Sequence, residues 1–204
     1  MKLLNFDLNS YDALLFDLDG TVVDSVEIHD QAWVDTFRDY GVTVDFDFLK
    51  KTTGMASTRI VRIVNETFKV QLDPNKLATE KRNRYLQNLP NVKLIDPVVS
   101  ILKNYYGKTP MAAITGGSHQ VVDMLLPKLG IDHFFQAVVC SDDTEKGKDS
   151  TEPYELACKS LGVQMNKCLF LDDGDIGLTG AKLAGMDTIL VDIHHPDIFL
   201  YATI

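Results

Sequence analysis

Ala13 to Phe16 are apolar without a break, and two carboxylates, Asp17 and Asp19, follow at once. A short, uninterrupted apolar run predicts a strand covered on both faces. Four further runs look the same: Met111 to Ile114, Ala137 to Cys140, Cys168 to Leu171 and Thr188 to Val191. Between them the apolar positions recur at helical spacing. After Ser118, residues Val122, Leu125, Leu126 and Leu129 share a face, and Gly130 supplies a C-terminal stop. Thr151 is placed to cap a helix with Pro153 in its first turn, Leu156 and Leu161 inward and Gly162 at its end. Asp175 to Ala184 forms another helix, closed by Gly185, before the last strand. Strands alternating with helices predict an α/β fold with a doubly wound parallel sheet. In such sheets ligands bind beyond the carboxyl ends of the strands.

The stretch from Val26 to Val92 breaks this rhythm, with no convincing strand and several helical patterns. Val26, His29, Trp33, Phe37 and Tyr40 share one helical face, ended by Gly41; Ile60, Val61, Val64 and Phe68 share another. Leu77 to Leu89 reads as a third helix, basic in its middle at Lys81, Arg82 and Arg84, with Pro90 and Pro97 marking the return. The expected organisation is a core of residues 1–25 and 93–204 with an all-helical cap, residues 26–92, inserted directly after the first strand. That cap would stand over the sheet edge where Asp17 lies.

The 204 residues suffice for one good core with a small insertion. A net charge of −9 argues against a general nucleic-acid or anionic-membrane surface, while leaving room for an anionic ligand at a locally positive site. Cys140, Cys158 and Cys168 are odd in number, lack metal-ligand spacing and sit in apolar surroundings, which suits reduced core thiols in a cytoplasmic protein. Before Asn5 the chain offers only the Leu3–Leu4 pair toward an apolar signal core, so no signal segment is expected, and no apolar run reaches membrane length.

The strand ends carry the chemistry. The first gives Asp17 and Asp19; the second gives Thr115, Gly116, Gly117 and Ser118, a hydroxyl with free N–H groups suited to phosphate. An acidic loop after Cys140 leads to Lys146 and Lys148, and Leu171 is followed by Asp172, Asp173 and Asp175. So many carboxylates at one edge would raise one another's pKa unless a hard cation such as Mg²⁺ offsets them. A nucleophile, an oxyanion cradle and positive charge are the parts of phosphoryl transfer.

These motifs resemble the haloacid dehalogenase-like hydrolases, and within them the β-phosphoglucomutase-like phosphatases with a helical cap. FDLDGTVVDS, Phe16 to Ser25, is similar to the first family motif, Thr115 stands at the second, and LDDGDIGLTGAKLAGM, Leu171 to Met186, is similar to the fourth. The resemblance implies a Rossmann-like core and a Mg²⁺-dependent chemistry. Asp17 would be the nucleophile and Asp19 the acid/base. The Asp17 side chain, the Asp19 carbonyl and Asp173 would bind Mg²⁺, with Asp172 orienting the third-motif lysine or a metal-bound water. Thr115 and Gly116, with Gly117 beside them, would hold the phosphoryl group. The third motif departs from the usual Gly-Lys-Pro-x-Pro-Asp. GKDSTEPY, Gly147 to Tyr154, carries Asp149 and Thr151 in place of both prolines. Counting back from Tyr154 selects Lys148, with Lys146 as the alternative. His29 and Trp33 match a His-x-x-x-Trp pattern of the cap, and Arg59 and Lys81 stand where substrate-facing basic residues are expected.

The expected activity is hydrolysis of a small phosphorylated metabolite, a sugar phosphate, by a monomer or weak homo-oligomer. A hexose-phosphate mutase shares the nucleophile, but Gly117, Ser118 and His119 replace the Ser-Lys-Asn that mutases tend to carry. A metal-free dehalogenase would leave Asp19 and Asp173 unexplained. A catalytically weak binding protein on the same fold is the non-enzymatic reading, favoured only by the altered lysine loop.

Overall fold

A computed structural model describes residues 7–195 and the backbone of 199–201. Each apolar run becomes a strand: β1 (Ala13–Phe16), β4 (Met111–Ile114), β5 (Ala137–Val139), β6 (Cys168–Asp172) and β7 (Asp187–Val191). Two two-residue strands, β2 (Val23–Asp24) and β3 (Lys93–Leu94), pair antiparallel where the chain leaves and re-enters the sheet region. The main sheet runs in the order β5-β4-β1-β6-β7-β8, where β8 is Phe199–Tyr201. The first five are parallel and β8 adds an antiparallel edge. β8 was not expected, because its three residues carry no alternation to mark them.

Period-two alternation sorts the strand side chains onto two faces. Leu14, Phe16, Met111, Ala113, Leu169 and Leu171 join one core, packed with α5 (Asp96–Tyr105) and α6 (His119–Leu129). Ala13, Leu15, Ala112, Ile114, Cys168 and Phe170 join the other, packed with α7 (Glu152–Leu161) and α8 (Asp175–Leu183). Burial on both faces explains why β1 and β4 are apolar throughout, as is β6 up to Leu171. The three thiols are buried among these side chains and form no disulfide, although the Cys158 and Cys168 sulfurs lie 3.6 Å apart.

Residues 26–92 contain α1 (Val26–Asp39), α2 (Phe46–Lys50), α3 (Ser57–Phe68) and α4 (Pro74–Asn88), and no strand. They enclose a third apolar cluster of Trp33, Phe37, Leu49, Ile60, Val61, Val64 and Leu77. Phe68 extends the α3 face as expected, 39% exposed and edge-on against Phe48, which packs on that cluster. One expectation is corrected here. Thr151 precedes α7 in helical backbone geometry, and its hydroxyl bonds to the Glu155 carboxylate rather than capping a backbone N–H. Among the described residues no helix is long and apolar enough to cross a membrane.

Candidate active site

Strand register assembles the site. Phe16 lies opposite Ala113 of β4 and Leu171 of β6, so one residue further Asp17 emerges between the ends of those two strands. Strand order reverses around β1, which opens a crevice at its carboxyl end. The cleft there has a volume of about 730 Å³, open mouth included, with a floor from the sheet and a roof from α1, α3, α4 and the α2–α3 loop.

On the floor, Asp17 is 4% and Asp172 2% exposed. Between them lies Lys148, whose Nζ donates to Asp17 Oδ1 at 2.6 Å and Asp172 Oδ2 at 2.7 Å. The lysine that the sequence left open is thereby settled in position: Lys148 reaches Asp17, whereas Lys146 is exposed and its backbone N–H is held by Glu152. The buried Tyr154 hydroxyl fixes the loop, lying 3.0 Å from the Lys148 carbonyl and 2.7 Å from that of Gly177. Asp172 has both oxygens engaged, since Oδ1 accepts from the Gly174 N–H at 2.7 Å.

One cation faces three clustered carboxylates, because Asp173 sits with Asp17 and Asp172, their oxygens within 4.8 Å of one another. Burial pushes the Asp17 carboxyl up; Lys148 opposes this, while Asp172, Asp173 and Asp19 add to it. Burial and Asp172 raise Asp173 to about 7. Lys148 resists its own burial because Asp17 and Asp172 hold its proton well above the usual lysine range. An uncompensated all-oxygen donor set of this kind fits a hard divalent cation such as Mg²⁺. Gly20, with φ +88°, keeps that set compact, since a Cβ there would overlap the Asp173 carboxylate.

Beside the trio, Asp19 accepts from Ser25 Oγ at 2.5 Å and meets His29 Nε2 at 3.0 Å. Burial alone would raise the Asp19 pKa, but His29, Ser25 and Lys81 outweigh it and hold the group well below the ordinary carboxylate range. His29 stacks on Tyr85 at 3.9 Å between centroids and contacts Lys81 through Nδ1. Burial and the Lys81 charge keep the imidazole pKa low. Lys81 is 6% exposed and lies 5.4 Å from the Trp33 ring centre, and burial brings its pKa down to about 8.

Thr115, Gly116 and Gly117 line the other side of the floor. Thr115 Oγ1 accepts from the Gly117 N–H at 3.0 Å, which curls the turn. Helix α6 does not present its first N–H to the cleft, because His119 N–H donates to Asp142 at 3.1 Å. The His119 ring pairs with Asp143 at 2.8 Å, beside Cys140. Gly116 lies so near the α2–α3 loop that a Cβ on it would stand 2.5 Å from the Gly54 carbonyl oxygen.

Arg59 is the expected site residue that the fold does not bring to the cleft. Its Nη1 bonds to Asp149 Oδ2 at 2.8 Å, with both side chains more than 40% exposed. Three neighbours of the site escaped the sequence reading. Ser25 closes the first motif, Tyr85 lies four residues after Lys81 on α4, and Asp30 follows His29 into the cleft wall. A carboxylate on the face shared by Val26, His29 and Trp33 was the available signal for Asp30.

A parallel sheet switching order at a buried aspartate, paired to a lysine from one loop and clustered with the aspartates at the end of β6, defines a class. The chain belongs to the haloacid dehalogenase-like hydrolase family, whose model matches residues 14–191. Among curated relatives it is 33% identical over 179 residues to fructose-1-phosphate phosphatase YqaB of Escherichia coli, covering 88% of this chain and 95% of that one. It is 26% identical over 187 residues to the 6-phosphogluconate phosphatase of the same species, covering 88% and 82%. Among solved structures, β-phosphoglucomutase from Clostridium difficile shares the fold with a TM-score of 0.79, at 22% identity over 89% of this chain and 85% of that one.

Proposed function

We propose that this protein is a Mg²⁺-dependent phosphatase that hydrolyses a small sugar phosphate through an aspartyl-phosphate on Asp17. The observation that supports it most is the buried Asp17 carboxylate, oriented by Lys148 and flanked by Asp19 on one side and Thr115–Gly116 on the other. Family membership and the relatives named as phosphatases of fructose 1-phosphate and 6-phosphogluconate agree with it.

In this reading an Asp17 oxygen forms a bond to phosphorus as the ester oxygen leaves. Asp19 gives that oxygen its proton, then takes one from the water that opens the phosphoenzyme. His29 and Ser25 keep Asp19 ionised in the free protein, the form needed for the second half; the charge of an entering phosphate favours its protonation for the first. Thr115 Oγ1 and the Gly116 N–H hold phosphoryl oxygens, and Lys148 offsets charge while fixing Asp17 and Asp172. Asp17 and Asp173, with the Asp19 carbonyl, would hold Mg²⁺, which when bound supplies positive charge against the phosphoryl oxygens. Helices α1 to α4 serve as a cap that excludes bulk water. Unpaired buried thiols suit the reducing cytoplasm.

Phosphate release from a panel of phosphorylated metabolites, with and without Mg²⁺, tests the reading on the parent and Asp17→Asn. Release that requires both the metal and Asp17 is the expected result. A folded parent that releases no phosphate from any member refutes it, and bisphosphate-primed isomerisation of a hexose 1-phosphate would turn the assignment to the mutase.

A further inference from the structure

A second cluster of ligating side chains lies apart from the carboxylates of the floor. Cys140 follows β5, and its thiol is buried, 1% exposed, with no hydrogen-bond partner among the described residues. The His119 ring and the Asp143 carboxylate stand beside it, and one ligand atom from each of the three lies within 4.8 Å of the others. Both neighbours are already aimed. His119 Nε2 meets Asp143 Oδ2 at 2.8 Å, while Nδ1 faces Asp123 Oδ1, 3.6 Å away. Asp143 Oδ2 also accepts the Cys140 N–H at 2.8 Å, which holds the carboxylate against the backbone that carries the thiol. The His119 side chain is 40% exposed, so the cluster is open to an entering ion on that side and closed by the core behind Cys140. The local charge favours a cation: burial, then Asp143, Asp142 and Asp123, push the Cys140 thiol up to about 12.

This donor set differs in kind from that of the floor. Asp17, Asp172 and Asp173 offer oxygen alone, whereas a sulfur, an imidazole nitrogen and one carboxylate oxygen suit a borderline-soft ion. We propose that His119, Cys140 and Asp143 form a Zn²⁺ site, separate from the cleft floor, with water as the fourth ligand. The ion takes the place of the thiol proton, which passes to solvent, and of the His119–Asp143 hydrogen bond. Nε2 then binds through its lone pair, and Nδ1 keeps its proton on the side of Asp123, the arrangement in which a carboxylate orients a metal-bound histidine. Spacing along the chain hides the site, because its ligands come from the start of α6 and from the loop after β5. Occupied, it ties the turn of Thr115 and Gly117 to the loop that leads to Lys148. It stands there beside Ser141, whose N–H and hydroxyl donate to the Gly117 carbonyl at 2.9 and 3.1 Å.

Co²⁺ serves as the probe, since it replaces Zn²⁺ and gives a sulfur-to-metal charge-transfer band in the near ultraviolet when a thiolate binds it. An all-oxygen site gives no such band, and excess Mg²⁺ keeps the floor occupied during the titration. The reduced parent is expected to develop the band with one Co²⁺ per chain and to lose it when Zn²⁺ is added. Cys140→Ser should abolish the band, and His119→Ala, at an exposed position that leaves the core intact, should weaken Co²⁺ binding by about 10-fold or more. Cys158→Ser should leave both unchanged. Zn²⁺ at about 100 times its Kd should raise the parent's melting temperature by about 5–10 °C, an increase that His119→Ala loses. No band in the parent overturns the inference, as does a band that survives Cys140→Ser or disappears in Cys158→Ser. Where Cys140→Ser fails to fold, His119→Ala decides: Co²⁺ affinity and a Zn²⁺ melting shift equal to the parent's overturn the site.

Discussion

Replacing Asp173 with asparagine should abolish activity and yet stabilise the metal-free protein at alkaline pH. In the fold the Asp173 carboxyl titrates at about 7, because burial and Asp172 disfavour its charge; in the unfolded chain it returns to its ordinary value near 3.8. Its folded pKa is raised, so its contribution to stability is full below about pH 4 and is lost as pH climbs through about 7. Each unit is worth about 1.4 kcal/mol, so the two units between pH 5 and 7 remove roughly 2–3 kcal/mol from the parent, and little more is lost by pH 8. Asparagine keeps the shape and carries no charge, so Asp173→Asn escapes that loss. Urea unfolding in EDTA, parent against variant at pH 5, 6, 7 and 8, reads the difference directly. The gap should widen in favour of the variant by roughly 2–3 kcal/mol from pH 5 to 8. Added Mg²⁺ should then stabilise the parent and leave the variant nearly unmoved, since a ligand stabilises only the state that binds it. Parallel stability curves across this pH range would refute the account of the carboxylate cluster.

Tyr154→Phe removes a buried hydroxyl that lies against two carbonyls, those of Lys148 and Gly177. It should cost about 1–3 kcal/mol, seen as a melting temperature lower by about 3–10 °C, with kcat reduced as Lys148 loses its support. An unchanged melting temperature would show the hydroxyl to be idle. Arg59→Ala breaks an exposed ion pair and should cost less than about 1 kcal/mol. Because the guanidinium is outside the cleft, KM should stay within about two-fold of the parent, and a several-fold rise in KM would put Arg59 back on the substrate.

The central strands were legible because burial on both faces leaves no room for polar residues. Ala13–Phe16 and Met111–Ile114 match their apolar runs end to end. Elements held by something other than an apolar run were not legible. The two-residue β2 and β3 exist because each pairs with the other, and the five-residue α2 is too short to show a period. The carboxylates of the floor could be found because they follow strand ends directly. Counting back from Tyr154 favours Lys148 over Lys146, and the fold shows the physical reason: the Tyr154 ring packs against Phe170 and its hydroxyl reaches the Lys148 carbonyl. Basic residues on helices carry the least information. Lys81 turns inward, in one row with the buried Leu77 and Tyr85 of α4, and Arg59 outward, just before the buried Ile60–Val61 stripe of α3.

The Arg59–Asp149 pair has a mechanical meaning. Prolines at 149 and 151 would stiffen the lysine loop whatever the rest of the molecule did, because a pyrrolidine ring restricts its own backbone. Here the brace on Asp149 comes from across the cleft, from the first turn of α3. The loop that carries Lys148 is thus tied at two points, by Asp149 to α3 and by the Tyr154 hydroxyl to the Lys148 and Gly177 carbonyls, so the stiffness a proline pair would build into the chain is here divided between separable side chains.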